Sequence, residues 1–294
     1  MITGTKLWTA LITPMDTDGR IHWKDLERLL QRQEAAGNGI LILGSTGEGL
    51  AIKDDEKKEV VDFVHNYNPS VPWMVGAGGF QLEKQLEWIE YCNRTSCGAY
   101  LLVTPIYAKP GTEGLTNWFT QLMEASGNPC MLYNIPSRTG AKMSPGLVKK
   151  IQGHKNFWAI KEAGGSLKEY EQLREECPDV ALFSGDDGLL PYFSVAGCEG
   201  LVSVASNVWP EETSLYVEQS MTGNVEQFIP VWKKATEALF AASNPVPAKI
   251  LLEKNGVISS ATVRPPLTLA DLPDSSILKE ADLAIADWYK TYNL

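Results

Sequence analysis

The chain has 294 residues, of which 44% are hydrophobic and 21% charged, as in an ordinary globular protein. Its formal net charge is -10 and it contains no basic run, which argues against a nucleic-acid partner. No apolar run reaches the roughly 20 residues that a membrane-spanning helix needs, so we expect no membrane partner.

Eight short apolar segments recur along the first two thirds of the chain. In order they read LWTALIT, GILILG, PWMVGAG, GAYLLVT, PCMLYNI, FWAIKE, VALFSG and GLVSVAS. Each is too short for a helix and nearly continuous in apolar character, which is typical of a strand buried on both faces. Between them lie stretches such as HWKDLERLLQRQEAA, whose apolar residues have helical spacing.

This alternation predicts an α/β fold with a parallel sheet. Eight such units of this length close into a (β/α)8 TIM barrel, and an open doubly wound sheet is the alternative. After about residue 224 the sequence predicts helices only. We therefore expect a catalytic barrel over residues 1–224 and a C-terminal helical extension over residues 225–294.

The cysteines and the amino terminus bear on the cellular compartment. The five cysteines, an odd number, are scattered, and no two have CxxC spacing, which indicates reduced thiols. The start, MITGTKLWTALITPM, lacks a charged region before a long apolar stretch and so does not resemble a signal peptide. We expect a cytoplasmic protein.

Two predicted strands end on a reactive group. Lys161 closes the sixth strand, and burial of its stem would lower its pKa and make it a nucleophile for carbonyls. The alternative is a lysine that extends to solvent. Tyr133 closes the fifth strand and is either a proton-relaying hydroxyl or a core tyrosine. The three histidines fall away from strand ends, so a phenol could replace a histidine base.

Two further segments could hold a carboxylate. Arg138 lies in the turn PSRTG, where its planar guanidinium suits a bidentate contact, unless it is simply a solvated loop arginine. GSTGEG at residues 44–49 matches no nucleotide-binding pattern. Its backbone N–H groups at a helix start, with the hydroxyls of Ser45 and Thr46, could bind a carboxylate. The alternative is a glycine-rich turn that serves the backbone alone.

The ends of the fourth and seventh strands carry the remaining candidates. Tyr107 in TPIYAKP is either a second hydroxyl at the rim or a packing residue. SGDDG at residues 184–188 has two adjacent acids, but only one of two neighbours can point inward and no third ligand follows, so we expect no metal. All candidates lie at one mouth of the predicted barrel. Together they suggest Schiff-base chemistry on a small 2-oxo acid, with no cofactor.

Several motifs in order resemble the superfamily of dihydrodipicolinate synthase and N-acetylneuraminate lyase, which are Schiff-base aldolases. They run from TALITPM through GSTGEG, TPIYAKP, YNIPSRTG, IKEA and SGDD to NPVPAK and RPPL. YNIPSRTG is similar to the synthase branch, because the sialic acid lyases lack its arginine. The resemblance implies a lyase that condenses pyruvate with L-aspartate 4-semialdehyde, on the diaminopimelate route to lysine. The alternatives are a sialic acid or sugar-acid aldolase and a non-catalytic barrel that binds a 2-oxo acid.

The resemblance also implies a role for each candidate. Lys161 would form the Schiff base with pyruvate, and Tyr133 would relay protons and support the aldehyde. Arg138 would hold the carboxylate of the aldehyde, and Thr46 with its loop N–H groups would hold that of pyruvate. The residues implied to line the pyruvate pocket are Gly185 and Val202.

The implied proton relay crosses between subunits. Tyr107 would enter a neighbouring subunit's site, which implies a homotetramer or at least a homodimer. Ser45 would complete the relay with the two tyrosines. The family usually has threonine at this position, and serine lacks the methyl that restricts the rotamer. We expect a working but looser relay.

A second departure concerns regulation. Lysine-inhibited members of the family carry a polar set at the dimer interface, including histidine, asparagine, glutamate and tyrosine. The matching positions here are Asp54, Lys57, Phe80, Lys84 and Ile106. An amino acid needs acceptors for its ammonium group, which two apolar residues and an added cation do not supply. We expect a protein that is insensitive to lysine.

Overall fold

Eight parallel strands close into a barrel in the computed structural model, which describes residue 2, residues 4–223 and residues 225–292. The strands are β1 (Leu7–Ala10), β2 (Gly39–Ile42), β3 (Trp73–Ala77), β4 (Ala99–Val103), β5 (Cys130–Asn134), β6 (Phe157–Glu162), β7 (Ala181–Ser184) and β8 (Gly200–Ser203). Each pairs with the next in sequence, and β8 pairs with β1. The predicted TIM barrel is confirmed, and the open sheet is excluded.

Twelve α-helices occur in the described part of the chain. They are α1 (Trp23–Ala35), α2 (Asp54–Tyr67), α3 (Leu82–Cys92), α4 (Thr112–Ala125), α5 (Pro136–Thr139), α6 (Pro145–Ile151), α7 (Leu167–Glu176), α8 (Leu190–Val195), α9 (Pro210–Thr222), α10 (Ile229–Leu239), α11 (Val246–Lys254) and α12 (Ser276–Tyr292). None of the helices in these ranges is long and apolar enough to cross a membrane.

The strands are apolar throughout because both of their faces are buried. One set of side chains fills the barrel interior, including Trp8, Leu41 and Met131. Their neighbours in sequence point outward and pack under the helices, as Ile40 and Leu132 do. An inward and an outward core account for the continuous apolar runs in the sequence.

The C-terminal helices pack on the barrel through an aromatic cluster. The Trp232 ring of α10 stacks on Tyr216 of α9 at 4.0 Å between centroids and meets Trp288 of α12 edge-on at 5.4 Å. The Trp209 indole N–H donates to Asp282 at 2.7 Å. The predicted extension thus consists of α10–α12. Its expected boundary falls on Asn224, which lies outside the described residues, as do residues 1, 3, 293 and 294 of the two expected ranges.

Candidate active site

Lys161 is buried near the end of β6. The residue is only 5% exposed, so its side chain does not extend to solvent. Burial lowers its pKa from the usual 10.5 to about 7, an effect that the charge of Asp187 opposes and that of Arg138 reinforces. Gly185 follows β7 beside it, and a Cβ there would lie 2.8 Å from the lysine Cε. The glycine therefore leaves the space that the lysine stem occupies.

Tyr133 lies directly beside Lys161 in the register of β5 and β6. The lysine Nζ is 4.3 Å from the centre of the tyrosine ring. Burial raises the pKa of Tyr133 to about 12, although Arg138 opposes the shift. The phenol is therefore protonated at neutral pH and can donate a hydrogen bond. Thr104 fixes the backbone here, because its hydroxyl donates to the Tyr133 carbonyl at 3.0 Å.

Arg138 lies in the short helix α5, above the end of β5. It is exposed, and none of the ion pairs among the described residues includes it. The segment that follows is held by Asn134, whose side chain accepts from the Met143 N–H at 3.0 Å and donates to Glu162 at 2.7 Å. Arg138 thus has no ion-pair partner in the described part of the chain, and the segment after its turn is fixed to the ends of β5 and β6.

The segment GSTGEG forms a tight series of turns after β2. The N–H of Glu48 donates to the Ser45 carbonyl and that of Gly49 to the Gly44 carbonyl, both at 3.1 Å. Within residues 4–223 and 225–292, the N–H groups of residues 45–47 have no hydrogen-bond acceptor. The flanking Leu43 and Glu48 have φ of 57° and 54°, a strained left-handed conformation that recurs at functional sites.

One detail of the expectation for this loop is wrong. The segment does not lie at a helix start, because α2 begins only at Asp54. The two elements are separated by residues 50–53, so the helix dipole does not act on the loop N–H groups at close range. Any carboxylate bound here would be held by the turn itself.

The two hydroxyls of this loop differ in their surroundings. Ser45 is half-buried. Thr46 is buried, and its Oγ1 accepts a hydrogen bond of 2.8 Å from Nδ2 of Asn244, in the C-terminal part of the chain. The expected site therefore has one hydroxyl open to a substrate and one that is already oriented by the protein.

The remaining expected residues lie at opposite extremes of exposure. Val202 is buried on β8, where it pairs with Trp8 and packs in the barrel interior. Tyr107 is 89% exposed and has φ of 68°, in the loop after β4. Its hydroxyl has no hydrogen-bond partner in the described part of the chain. Within one chain, the fold brings Lys161, Tyr133 and Gly185 into contact but directs Tyr107 outward.

The sequence model of the Dihydrodipicolinate synthetase family matches residues 4–281, nearly the whole chain. The chain belongs to this family. A curated relative from Francisella philomiragia, named 4-hydroxy-tetrahydrodipicolinate synthase, is 48% identical over 285 residues, which are 97% of each chain. The expectation of membership in this family of enzymes is confirmed.

Two solved structures with the same fold extend the comparison. A chloride-inhibited dihydrodipicolinate synthase from Acinetobacter baumannii, complexed with pyruvate, is 29% identical, with a TM-score of 0.87 over 97% of this chain and 99% of that one. The enzyme from Cyanidioschyzon merolae, with lysine bound, is 29% identical, with a TM-score of 0.87 over 96% and 98% of the chains.

The second acid of SGDDG has a role that sequence reasoning missed in this member of the dihydrodipicolinate synthetase family. The carboxylate of Asp187 accepts from the Ser203 hydroxyl and from the N–H groups of Val204 at 2.9 Å and Ala205 at 3.4 Å. It therefore fixes the loop after β8. Burial raises the pKa of Asp187 to about 6, so it is charged at neutral pH and acts on Lys161.

Asp187 is not part of a metal site in the described residues, where no group of three or more His, Cys, Asp or Glu side chains could hold an ion. Its partners could not be read from the sequence, because Ser203 belongs to a different strand. An acid that follows a buried strand, however, was a signal for a second fixed group at this mouth of the barrel.

Sequence reasoning also missed a buried ion pair beneath the GSTGEG loop. The side chains of Glu48 and Lys249 have exposures of 1% and 0% and form a salt bridge. Lys249 also donates to the Thr262 carbonyl at 2.8 Å, and Glu48 accepts from the Arg264 N–H at 2.8 Å. The motifs NPVPAK and RPPL, which helped to suggest the family, therefore contact the loop directly.

Proposed function

We propose that this chain is a 4-hydroxy-tetrahydrodipicolinate synthase, a cytoplasmic enzyme that condenses pyruvate with L-aspartate 4-semialdehyde and needs no cofactor. The observation that carries the proposal is Lys161, which is buried, has a pKa near 7 and lies against Tyr133. A lysine of this kind is a nucleophile for carbonyls at neutral pH. The name of the Francisella relative and the pyruvate complex of the Acinetobacter structure support the choice of reaction.

The first half of the reaction activates pyruvate. The neutral amine of Lys161 attacks the ketone carbon, and loss of water leaves a protonated imine. This imine withdraws electrons from the neighbouring methyl group, which loses a proton to the oxygen of Tyr133, once that has given up its own, and becomes an enamine. Tyr133 stays protonated at neutral pH, because burial raises its pKa, and so can donate a proton to the departing oxygen.

The second half forms the carbon–carbon bond. The enamine carbon attacks the aldehyde, whose oxygen takes up a proton through the hydroxyls of Tyr133 and Ser45. The amino group that came from aspartate semialdehyde then adds to the imine carbon, and the amine of Lys161 leaves, which closes the ring and gives 4-hydroxy-tetrahydrodipicolinate. Lys161 turns pyruvate into the nucleophile and the hydroxyls move the protons, so each step balances without a metal or an organic cofactor.

Two sites would hold the two substrate carboxylates. The N–H groups of residues 45–47, which have no acceptor among the described residues, and the Thr46 hydroxyl suit the carboxylate of pyruvate. Gly185 and Val202 would line its pocket. Arg138, which has no carboxylate partner in the described residues, suits that of the aldehyde. A sugar aldehyde would instead need hydroxyl partners at the rim, so Arg138 favours the amino-acid aldehyde over the sialic acid or sugar-acid alternative.

The exposed Tyr107 supports self-association as a homotetramer, or at least a homodimer. Its positive φ strains the backbone, and its side chain is almost fully exposed, so this conformation does not stabilise the single chain. Leu50 and Phe80 are large apolar side chains that are also exposed, at 61% and 57%. In a second copy, Tyr107 would reach the hydroxyls of Ser45 and Tyr133 and complete the proton relay.

The proposed enzyme is not inhibited by lysine. The carboxylate of Asp54 is already paired with Lys57 at 3.1 Å, which lowers its pKa. Phe80 offers no hydrogen bond, and Lys84 is an exposed cation that repels an ammonium group. An effector lysine bound among these residues would lack acceptors for its charged groups, which costs free energy.

Trapping with borohydride tests the proposed reaction. We expect intact-mass analysis of the wild-type protein, after treatment with pyruvate and borohydride, to give one reduced pyruvate adduct per chain. Lys161→Ala should give none, and the exposed lysine variant Lys234→Ala should give the wild-type result. Turnover of aspartate semialdehyde would then identify the aldehyde. No adduct on the wild-type protein would favour a barrel that binds a 2-oxo acid without catalysis.

A further inference from the structure

The loop that would bind the pyruvate carboxylate is attached to the C-terminal part of the chain by two separate contacts. One is the hydrogen bond of 2.8 Å from Asn244 Nδ2 to Thr46 Oγ1, which joins residues 198 positions apart. Both residues are buried, with exposures of 7% and 4%. The other is the buried ion pair of Glu48 with Lys249.

These two contacts do different things. The carboxylate of Glu48 binds both Lys249 and the N–H of Arg264, so the backbone of the loop is fixed at its far end. Thr13 adds a hydrogen bond of 2.7 Å from its hydroxyl to the Gly47 carbonyl. The path of the loop is therefore determined without Asn244. What Asn244 determines is the orientation of the Thr46 hydroxyl.

The direction of the hydrogen bond matters for the chemistry. A hydroxyl has one proton to donate and two lone pairs to accept with. Because the Asn244 amide donates, it occupies a lone pair of Thr46 and leaves the hydroxyl proton unused. Thr46 Oγ1 donates to no acceptor in the described part of the chain. A carboxylate can only accept, so the arrangement prepares Thr46 to donate to one.

We propose that Asn244 is a positioning residue for the 2-oxo acid: its amide holds the Thr46 hydroxyl with the proton directed to the substrate carboxylate. This inference rests on the proposed function, in which the GSTGEG loop binds the carboxylate of pyruvate. Asn244 acts through Thr46, to which its side chain makes its one hydrogen bond among the described residues. It gives the C-terminal helical part of the chain a role in substrate affinity.

Steady-state kinetics of Asn244→Ala and Asn244→Asp test the role. The alanine variant removes the donor, so we expect the KM for pyruvate to rise roughly tenfold, the effect of one weakened hydrogen bond to a charged group. The aspartate variant replaces the donor by an acceptor, which would accept a hydrogen bond from the Thr46 hydroxyl and direct its proton away from the substrate. Its KM for pyruvate should therefore rise further. The KM for the aldehyde should stay within about twofold, because Arg138 holds that substrate.

A double-mutant cycle separates positioning from a structural role. In the background of Thr46→Val, which has no hydroxyl to orient, Asn244→Ala should change the KM for pyruvate little. Ser243→Ala, an exposed neighbour, is the matched control and should behave as wild type. Additive effects in the cycle, or an unchanged KM for pyruvate in either Asn244 variant, would overturn the inference. If Asn244→Ala does not fold, the isosteric Asn244→Asp decides by its KM alone.

The outcome also distinguishes this inference from the proposed function. Failure of the wild-type protein to form a borohydride-trapped pyruvate adduct would contradict both the proposed function and the role of Asn244. An adduct on the wild-type protein, with a normal KM for pyruvate in the Asn244 variants, would remove this inference only.

Discussion

The amine nitrogen of Lys161 lies 4.3 Å from the centre of the Tyr133 ring, and burial shifts the pKa values of the two groups in opposite directions. Burial lowers the pKa of the lysine to about 7 and raises that of the tyrosine to about 12. Near neutral pH, one group can therefore act as a nucleophile while the other remains a proton donor. Such a separation of pKa values in a contacting pair is how sites assign nucleophile and acid.

The lowered pKa of Lys161 determines how adduct formation depends on pH. Only the neutral amine attacks a ketone, so the initial rate of borohydride-trapped adduct formation should rise as pH increases through about 7 and level off above it. Intact mass after short incubations with pyruvate measures this rate. A rate that keeps rising toward pH 10 would mean that the amine has an ordinary pKa.

The variant Asp187→Asn provides the matched control for this pH profile. The charge of Asp187 raises the pKa of Lys161, while asparagine of the same shape removes that charge. The midpoint of the profile should therefore move below that of the wild type. A midpoint that stays in place would show that Asp187 serves only the loop after β8.

Lys161 should also lower the stability of the folded protein. Its pKa is about 7 when folded and about 10.4 when unfolded, so between these values the unfolded chain binds more protons. The free energy of unfolding therefore rises with pH in this window. The loss of stability caused by burying Lys161 is greatest below pH 7 and absent above about pH 10.4. The cost is on the order of 5 kcal/mol, at about 1.4 kcal/mol for each pKa unit.

Denaturant unfolding of Lys161→Met measures this cost. We expect the variant to be more stable than the wild type at pH 6, with a gain that shrinks toward pH 10. Lys234→Met, at an exposed position, should have little effect at either pH. An equal gain for Lys161→Met at both pH values would trace the effect to packing of the methionine rather than to the charge.

Substitution of Arg138 should affect the aldehyde substrate but not pyruvate. In Arg138→Ala the KM for aspartate semialdehyde should rise roughly a hundredfold, because two charge-assisted hydrogen bonds are lost. Trapping of pyruvate should continue, since Lys161 and the GSTGEG loop are untouched. Arg138→Lys keeps the charge but not the planar guanidinium, so its KM for aspartate semialdehyde should lie between those of the wild type and Arg138→Ala. Full activity in Arg138→Ala would favour the aldolases that act on sugar acids.

Insensitivity to lysine can be measured in the same steady-state assay. Millimolar lysine should leave the rate unchanged, because Asp54 is already paired with Lys57 and Phe80 provides no acceptor. The Cyanidioschyzon merolae enzyme, whose structure has lysine bound, is a suitable comparison. Inhibition of the present protein at sub-millimolar lysine would contradict the expectation.

Most of the barrel could be predicted from the sequence because its signals are local. A strand buried on both faces must be apolar at every position, so β2 and β5 are recognisable without their partners. The parallel order then gathers the strand ends at one mouth, and Lys161 and Tyr133 follow from it. The placement of GSTGEG at a helix start was wrong, because its residues suit both a helix start and a free-standing turn.

The rest of the site depends on contacts between distant parts of the chain. Asn244 reaches Thr46 across 198 residues, and Asp187 reaches the loop after β8, and neither pairing leaves a pattern in the local sequence. Burial likewise depends on the whole fold, so the neutral amine of Lys161 could be suggested but not established from its apolar neighbours. The outward direction of Tyr107 comes from its backbone conformation, which its residue type does not reveal.

Breaking the buried pair of Glu48 and Lys249 should cost much stability, although replacing both residues by a well-packed apolar pair would cost little. Removing one partner leaves a charge buried without compensation, which costs about 3–5 kcal/mol. Lys249→Met should therefore lower the free energy of unfolding by that amount, as measured in denaturant. Glu48→Gln keeps an acceptor for the Arg264 N–H and should cost somewhat less.

The double variant Glu48→Gln/Lys249→Met tests whether the charges themselves are coupled. Because it leaves neither charge buried alone, we expect it to be more stable than Lys249→Met, with a coupling energy of several kcal/mol between the two sites. Lys57→Met, which breaks an ion pair at the surface, is the control and should cost at most about 1 kcal/mol. Additive losses in the double variant would mean that the two side chains stabilise the fold by packing rather than by the attraction between their charges.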